Sequence, residues 1–349
     1  MINASTAVNI SKKNKQAESA DKVMPFLLEP AYKNYLWGGT RLAKEFGKSC
    51  EGVPLAETWE CSTHPDGVSV VASGVYKGMP LDKMIQLHPE ILGTHPVKLN
   101  GSEELPILVK LIDAGENASI QVHPDDEYAH IHENGENGKA EMWYVLDAGE
   151  DAKLIYGFYQ DMNETQVRRA LEENDIERYM HKIKVQKDDV FYVEPGRVHG
   201  IGAGILLAEI QQNSNITYRL YDYNRKDEKG CSRELHIDKA LEVAGLKGSA
   251  EPRQPMRVLR YKPGCATELL CRCKYFQTER MLINTTDQVQ GCVINVIKES
   301  FYVLLCLEGE GLLYKDEPIM IKKGSCIFVP AGTYNIQIKG KMQLLQIRC

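Results

Sequence analysis

At 349 residues the chain has room for two or three domains of roughly 150 residues each, and its 43% hydrophobic and 26% charged content is that of a globular protein with a real core. Its 42 Lys and Arg against 48 Asp and Glu leave a net charge of −6 without a basic block, which argues against a general nucleic-acid binder, since neutralising phosphates takes clustered cations. No run approaches the ~18–20 apolar residues of a membrane span. Residues 1–24 are polar and aperiodic, which predicts a mobile tail and not a secretory signal.

From 25 to 255 short β-type runs dominate. They are expected at 106–112, 118–123, 141–146, 153–156, 190–193 and 206–211, separated by turns such as Asp113-Ala-Gly, Asp147-Ala-Gly and Pro195-Gly. Two segments have helical character. One is 163–173, with Asn163 as cap and Val167, Ala170 and Leu171 on one side; the other is 235–244. The stretch 125–139, with its Asn and Gly, reads as a solvated loop, so His130 and His132 are set aside as ligands. A second strand series is expected over 265–275, 276–283, 290–296, 301–307, 311–314, 325–329, 335–338 and 342–347. The ten cysteines are scattered, never form CxxC, and often fall inside apolar runs. They predict reduced thiols and a cytoplasmic location, without a disulfide framework.

Two passages, 187–199 and 323–335, share a polar turn, a strand ending in Phe-(Tyr)-Val, then Pro or Pro-Ala followed by Gly. Each follows a strand that starts near an aromatic residue and ends in Gly. The repeat suggests two related barrels of the double-stranded β-helix, or cupin, type. The expected organisation is therefore a mainly β chain: a tail at 1–24, a metal-binding barrel with helical insertions at 25–255, and a metal-free barrel at 256–349.

Strand alternation selects the candidate chemistry, because residues i and i+2 share a face. It aligns Ser119, Gln121 and His123; Lys139, Glu141 and Trp143; Leu207, Glu209 and Gln211; and Arg219, Tyr221 and Tyr223. A second imidazole, His199, follows the Pro195-Gly196 turn. Two His, a Glu and an amide oxygen facing one interior suit a divalent first-row ion with positions left for water or substrate. The second barrel has Asn335 where the first has His199, and no histidine follows His236.

Four passages in order, YLWGGTRL (35–42), ASIQVHPDD (118–126), GKAEMWYV (138–145) and PGRVHGIGAGILLAEIQQNSNITYRLYDYNR (195–225), resemble the type I mannose-6-phosphate isomerase family, in its shorter bacterial form. The resemblance covers about 25–349. It implies one zinc ion per chain held by Gln121, His123, Glu141 and His199, a catalytic arginine at Arg219, and an acid at Glu209 lining the site. It also implies that Lys110, Ser119, Lys139 and Trp37 face a sugar-phosphate substrate. The expected reaction interconverts mannose 6-phosphate and fructose 6-phosphate through an enediolate, with Glu209 as candidate base and Lys139 assisting. Two other readings share the metal face: a cupin non-haem iron dioxygenase, against which the neutral Gln121 and the cationic set argue, and a non-enzymatic sugar-binding cupin. Nothing in the pattern calls for nucleic acid or a membrane as partner.

Overall fold

The computed structural model describes residues 23–49, 54–101, 103–250, 252, 254 and 257–349. The expected tail lies outside the described residues except for its last two positions, as does the boundary at 255 and 256. Among the described residues no helix is long and apolar enough to cross a membrane.

Three antiparallel sheets carry the chain. One has six strands in the order Val190–Val193, Glu141–Ala148, Ile205–Gln212, Ile107–Ala114, Glu57–Cys61 and Ala31–Lys33. One has five, ordered Tyr218–Tyr221, Ile120–Val122, His199–Gly200, Lys153–Phe158 and Met180–Lys184. The third has ten and contains every strand after residue 259. Its long pair, Tyr302–Tyr314 with Ile336–Arg348, runs straight through the breaks expected at 308–310 and 339–341. A bulge between Cys306 and Glu308 absorbs the irregularity.

The six-stranded sheet is buried on both faces. Ile112, Val145, Phe191, Val193, Ile205 and Leu207 pack with Leu154, Tyr156 and Ile183 of the five-stranded sheet. Val109, Leu111, Met142, Tyr144, Ala208 and Ile210 pack with Phe276, Val303, Leu305, Phe328, Leu345 and Ile347 of the ten-stranded sheet. This sandwiching explains why all eight positions of Ile107–Ala114 and of Ile205–Gln212 are buried.

Helices cover the outer face of the five-stranded sheet. Ile120, Val122, Ile155 and Phe158 bury against Val167 and Ala170 of the helix Glu164–Glu172 and against Ala240 of Ile237–Val243. Full burial of such side chains is worth about 1.5–3 kcal/mol each. The first of these helices starts on a reciprocal cap: Gln166 N–H donates to Asn163 Oδ1 and Asn163 N–H to Gln166 Oε1, both at 2.9 Å.

The expected solvated loop after Asp125 is instead partly a helix, Asp126–His132, capped by Asp125 accepting from Tyr128 N–H at 2.9 Å. Its one buried residue is Ala129, too weak an apolar signal to show in sequence. His130 and His132 stand exposed on it.

Near the amino end, Phe26–Glu29 leaves its sequence neighbours and pairs with Cys326–Val329 in the ten-stranded sheet, Phe26 opposite Phe328. The rings of Phe26 and Phe301 each stack on Phe328, with centroids 5.3 and 5.1 Å away.

Candidate functional site

Pleating of Ile120–Val122 sends Ile120 and Val122 into the helix-covered core and leaves Gln121 for the opposite face. Register then sets Gln121 between His199 on one side and Arg219 on the other. In the facing sheet, Trp143, Glu209, Lys110 and Trp59 lie in one cross-strand row, with Glu141 opposite Gln211 in the next row on that face. The Pro195-Gly196 turn is tied to the first sheet by Gly196 N–H donating to the His123 carbonyl at 2.8 Å.

Between the two sheets His123, Glu141 and His199 converge, their ligand-type atoms within 4.8 Å of one another and all three residues buried. His123 Nε2 lies 3.2 Å from Glu141 Oε1 and His199 Nε2 lies 3.6 Å from Glu141 Oε2. His199 Nδ1 is 2.7 Å from the Arg197 carbonyl, which can only accept, so the proton sits on Nδ1 and Nε2 offers its lone pair to the centre. His123 Nε2 faces the Lys139 ammonium at 3.2 Å and likewise presents a lone pair. Burial, helped by the Lys139 charge, brings His123 down to about 3, and burial also lowers His199, so both rings are neutral at pH 7. Burial works against Glu141 ionising, but the Lys139 ammonium outweighs it and holds the carboxyl well below the usual range.

These residues fit a divalent cation. Neither Glu141 oxygen accepts a well-formed hydrogen bond, and a fully buried carboxylate in that condition calls for a positive partner. Lys139 supplies a provisional one, its Nζ 2.8 Å from Glu141 Oε1. The Gln121 amide lies 3.4 Å from His199 Nε2, and a half-turn exchanges its two ends to present the oxygen instead.

A cleft of about 300 Å³ opens onto this centre, lined among others by Tyr35, Trp37, Ser119, Gln121, Lys139, Lys110, Glu209, Arg219 and Arg233. Small-molecule sites start near this size, about 300 Å³. A larger cleft, about 370 Å³, carries Asp82, Glu103, Glu104 and Glu136 and so repels anions.

Trp37 stacks on Tyr35 at 5.7 Å and is fixed by the Gly38-Gly39 turn. A Cβ on Gly39 would meet Asp113 Oδ2 at 2.1 Å, the carboxylate that anchors Arg41. Lys110 is buried and already paired, Nζ 3.0 Å from Glu209 Oε1 and 3.6 Å from Glu57 Oε2. Burial disfavours its charge, but those two carboxylates outweigh it and raise the ammonium. Glu209 also accepts from Trp143 Nε1 at 2.8 Å, and burial followed by the Glu141 charge raises its carboxyl. Arg219 donates from NH1 to the Glu234 carbonyl at 2.7 Å, while its Nε has no partner.

Sequence reasoning passed over Tyr35, Glu57, Asn215, Thr217 and Arg233, all of which line the cleft. Arg233 is held there by Asp222, with Nε to Oδ2 at 2.8 Å, and Arg225 grips the same carboxylate at 2.6 Å. The clustering of Asp222, Arg225 and Arg233 in a polar run was the available signal.

Residues 25–144 match the family model described as phosphomannose isomerase type I, catalytic domain, and residues 266–349 match mannose-6-phosphate isomerase, cupin domain. The chain is 37% identical to mannose-6-phosphate isomerase ManA of Bacillus subtilis, over 90% of this chain and 96% of the relative. It is 35% identical to the mannose-6-phosphate isomerase of Streptococcus mutans, over 92% and 97%. A crystal structure of the mannose 6-phosphate isomerase from Bacillus subtilis superposes with a TM-score of 0.83 at 35% identity, covering 93% of this chain and 99% of that one. A zinc-bound mannose 6-phosphate isomerase shares the fold, with a TM-score of 0.71 at 17% identity over 93% and 99%.

Proposed function

Since the chain belongs to the type I phosphomannose isomerase family, a family of mannose-6-phosphate isomerases built on cupin folds, we propose that it interconverts mannose 6-phosphate and fructose 6-phosphate by proton transfer through an enediolate. Zinc is the proposed ion and Gln121, His123, Glu141 and His199 the residues that would hold it. The observation carrying this reading is the buried His123–Glu141–His199 centre, with neutral imidazoles and an unsatisfied carboxylate, set behind a cleft that carries Arg219 and Arg233.

When bound, the ion supplies Lewis acidity toward the sugar's carbonyl and hydroxyl oxygens. The protein's own groups do the rest. Moving a proton between adjacent carbons builds negative charge on two oxygens, and Arg219 brings a permanent positive charge to the same cleft. Glu209 is the proposed base: it lines the cleft, and its raised carboxyl sits closer to the working pH than an ordinary one. Trp143 and Lys110 orient it from behind. Ser119 and Lys139 are the proposed phosphate or enediolate contacts, with Lys110 adding its charge from within its pairing to Glu209. Trp37 and Tyr35 supply the wall that excludes water. Coupled measurement of mannose 6-phosphate conversion, before and after chelation and zinc return, tests the proposal. Activity is expected to vanish and come back with zinc, and full turnover by metal-free protein would overturn it.

A further inference from the structure

The strand Glu141–Ala148 is entered through an unusual junction that carries Lys139. Gly138 passes so close to the preceding chain that a Cβ there would lie 2.4 Å from the Asp125 carbonyl carbon and 2.5 Å from Asp126 N, so only glycine fits. Both sides of Ala140, the residue between Lys139 and Glu141, are bound to Gln212. Ala140 N–H donates to Gln212 Oε1 at 2.9 Å, and Gln212 N–H donates to the Ala140 carbonyl at 3.1 Å. The Gln212 amide in turn donates from Nε2 to Asp126 Oδ1 at 2.8 Å, and the same oxygen accepts from Gly138 N–H at 3.1 Å. The other oxygen, Oδ2, accepts from Tyr275 O–H at 2.7 Å, with Lys274 Nζ at 3.3 Å.

Tyr275 comes from the ten-stranded sheet, 149 positions further along the chain. It sits in the hairpin loop between Cys265–Arg272 and Gln277–Asn284, closed by Cys273 N–H donating to the Phe276 carbonyl at 3.0 Å. The adjacent Phe276 is buried in the core shared with the six-stranded sheet. The loop is therefore anchored before Tyr275 reaches across.

We propose that Tyr275 is a positioning residue for the metal-centre strand: through Asp126 and Gln212 the carboxy-terminal barrel fixes the main chain at Gly138–Glu141, and so the aim of Glu141 and Lys139. The barrel thus contributes to the site without placing a side chain in it. An Asp126 side chain that lost its Tyr275 bond would still bind Gln212, but its other oxygen would keep only the longer contact to the exposed Lys274 ammonium at 3.3 Å. The proposal rests on the reading of His123, Glu141 and His199 as a metal centre only for its metal-affinity arm.

The test compares two full-length variants. Tyr275→Phe removes the hydroxyl and keeps the ring. Arg280→Met breaks a different bond set across the same interface, Arg280 NH1 to Tyr144 Oη and to Asp188 Oδ1, both 2.9 Å, which does not touch Gly138–Glu141. Zinc affinity is read by competition with a chelator, and hydrogen exchange of the peptide spanning 138–141 is read on metal-free protein. Groups bonded directly to metal ligands typically change affinity by about 10–100-fold, so one acting a step further out should change it about three- to tenfold. Tyr275→Phe is expected to weaken zinc binding by that factor and to speed exchange over 138–141, with Arg280→Met leaving both at wild-type values. Wild-type exchange in Tyr275→Phe, or equal changes in the two variants, would overturn the proposal. If neither wild type nor variant binds zinc, the metal reading fails while the exchange arm still decides the positioning role.

Discussion

Replacing Lys139 with Met separates its role as counter-charge to Glu141 from its proposed contact to substrate. Lys139 is 3% exposed and Glu141 fully buried, with 2.8 Å between Nζ and Oε1, so in metal-free protein they form a desolvated pair. Removing one member of such a pair costs about 3–5 kcal/mol because the remaining charge is left uncompensated. Protonation of Glu141 or an imidazole recovers part of this, which points to the lower end, about 3 kcal/mol at neutral pH. In zinc-loaded protein the ion takes over neutralisation of Glu141, and the loss should fall below about 1 kcal/mol. Urea unfolding of wild type and Lys139→Met, each with and without zinc, closes the thermodynamic cycle. In the same preparations kcat/KM should drop at least about tenfold, since a charge-assisted contact is worth roughly 1.5–3 kcal/mol. Equal destabilisation in both metal states would refute the counter-charge argument, and wild-type kcat/KM would refute the substrate contact.

Arg219→Ala should lower turnover by on the order of 10² or more with zinc content unchanged, as expected on removing one stabiliser of a developing anion. Unaltered kcat would reject that role. For Asp222, burial opposes ionisation, but hydrogen bonds from Arg233 and Arg225 outweigh it and hold the carboxyl below its ordinary value. A depressed folded pKa gives stability that is present above the unfolded value, about 3.9, and lost as pH falls through the folded one. Asp222→Asn should therefore unfold at lower urea than wild type at pH 7, the gap narrowing once the pH drops below about 4; a gap independent of pH would contradict the assignment.

How much of this was legible in sequence depended on whether the deciding contact was local. Alternation put Gln121 with His123 and Lys139 with Glu141 because extended chain keeps its two-residue periodicity just past the strands Ile120–Val122 and Glu141–Ala148. The cap at Asn163 could be read for the same reason, its partner being Gln166. Inside Ile205–Gln212 alternation still set Glu209 and Gln211 on the site face, although packing on both faces buries every side chain and removes the usual polar–apolar contrast. The helix Asp126–His132 escaped notice because a single Ala faces the core. Arg233 reaches the cleft through Asp222, and the Tyr275–Asp126 bond joins residues that no local pattern relates. The long strands Tyr302–Tyr314 and Ile336–Arg348 were cut at glycines, since sequence cannot tell a bulge within a ladder from a turn that ends one.

The pairing of Phe26 with Phe328 also has a consequence in time. The 302 residues separating them take about 15–60 s to synthesise at roughly 5–20 residues per second. Through most of that interval the segment Phe26–Glu29 has only Val70–Val71 as a ladder partner, and its other side is an apolar strand edge of the kind that recruits other chains. The strands Glu141–Ala148 and Ile205–Gln212 can pair with each other long before then. Their second face, however, stays bare until Val303, Leu305, Phe328 and Leu345 arrive. Completion of the fold is thus tied to release of nearly the whole polypeptide, and a truncation that removes only the last strand, Ile336–Arg348, would strip Leu345 and Ile347 from the core that covers this face.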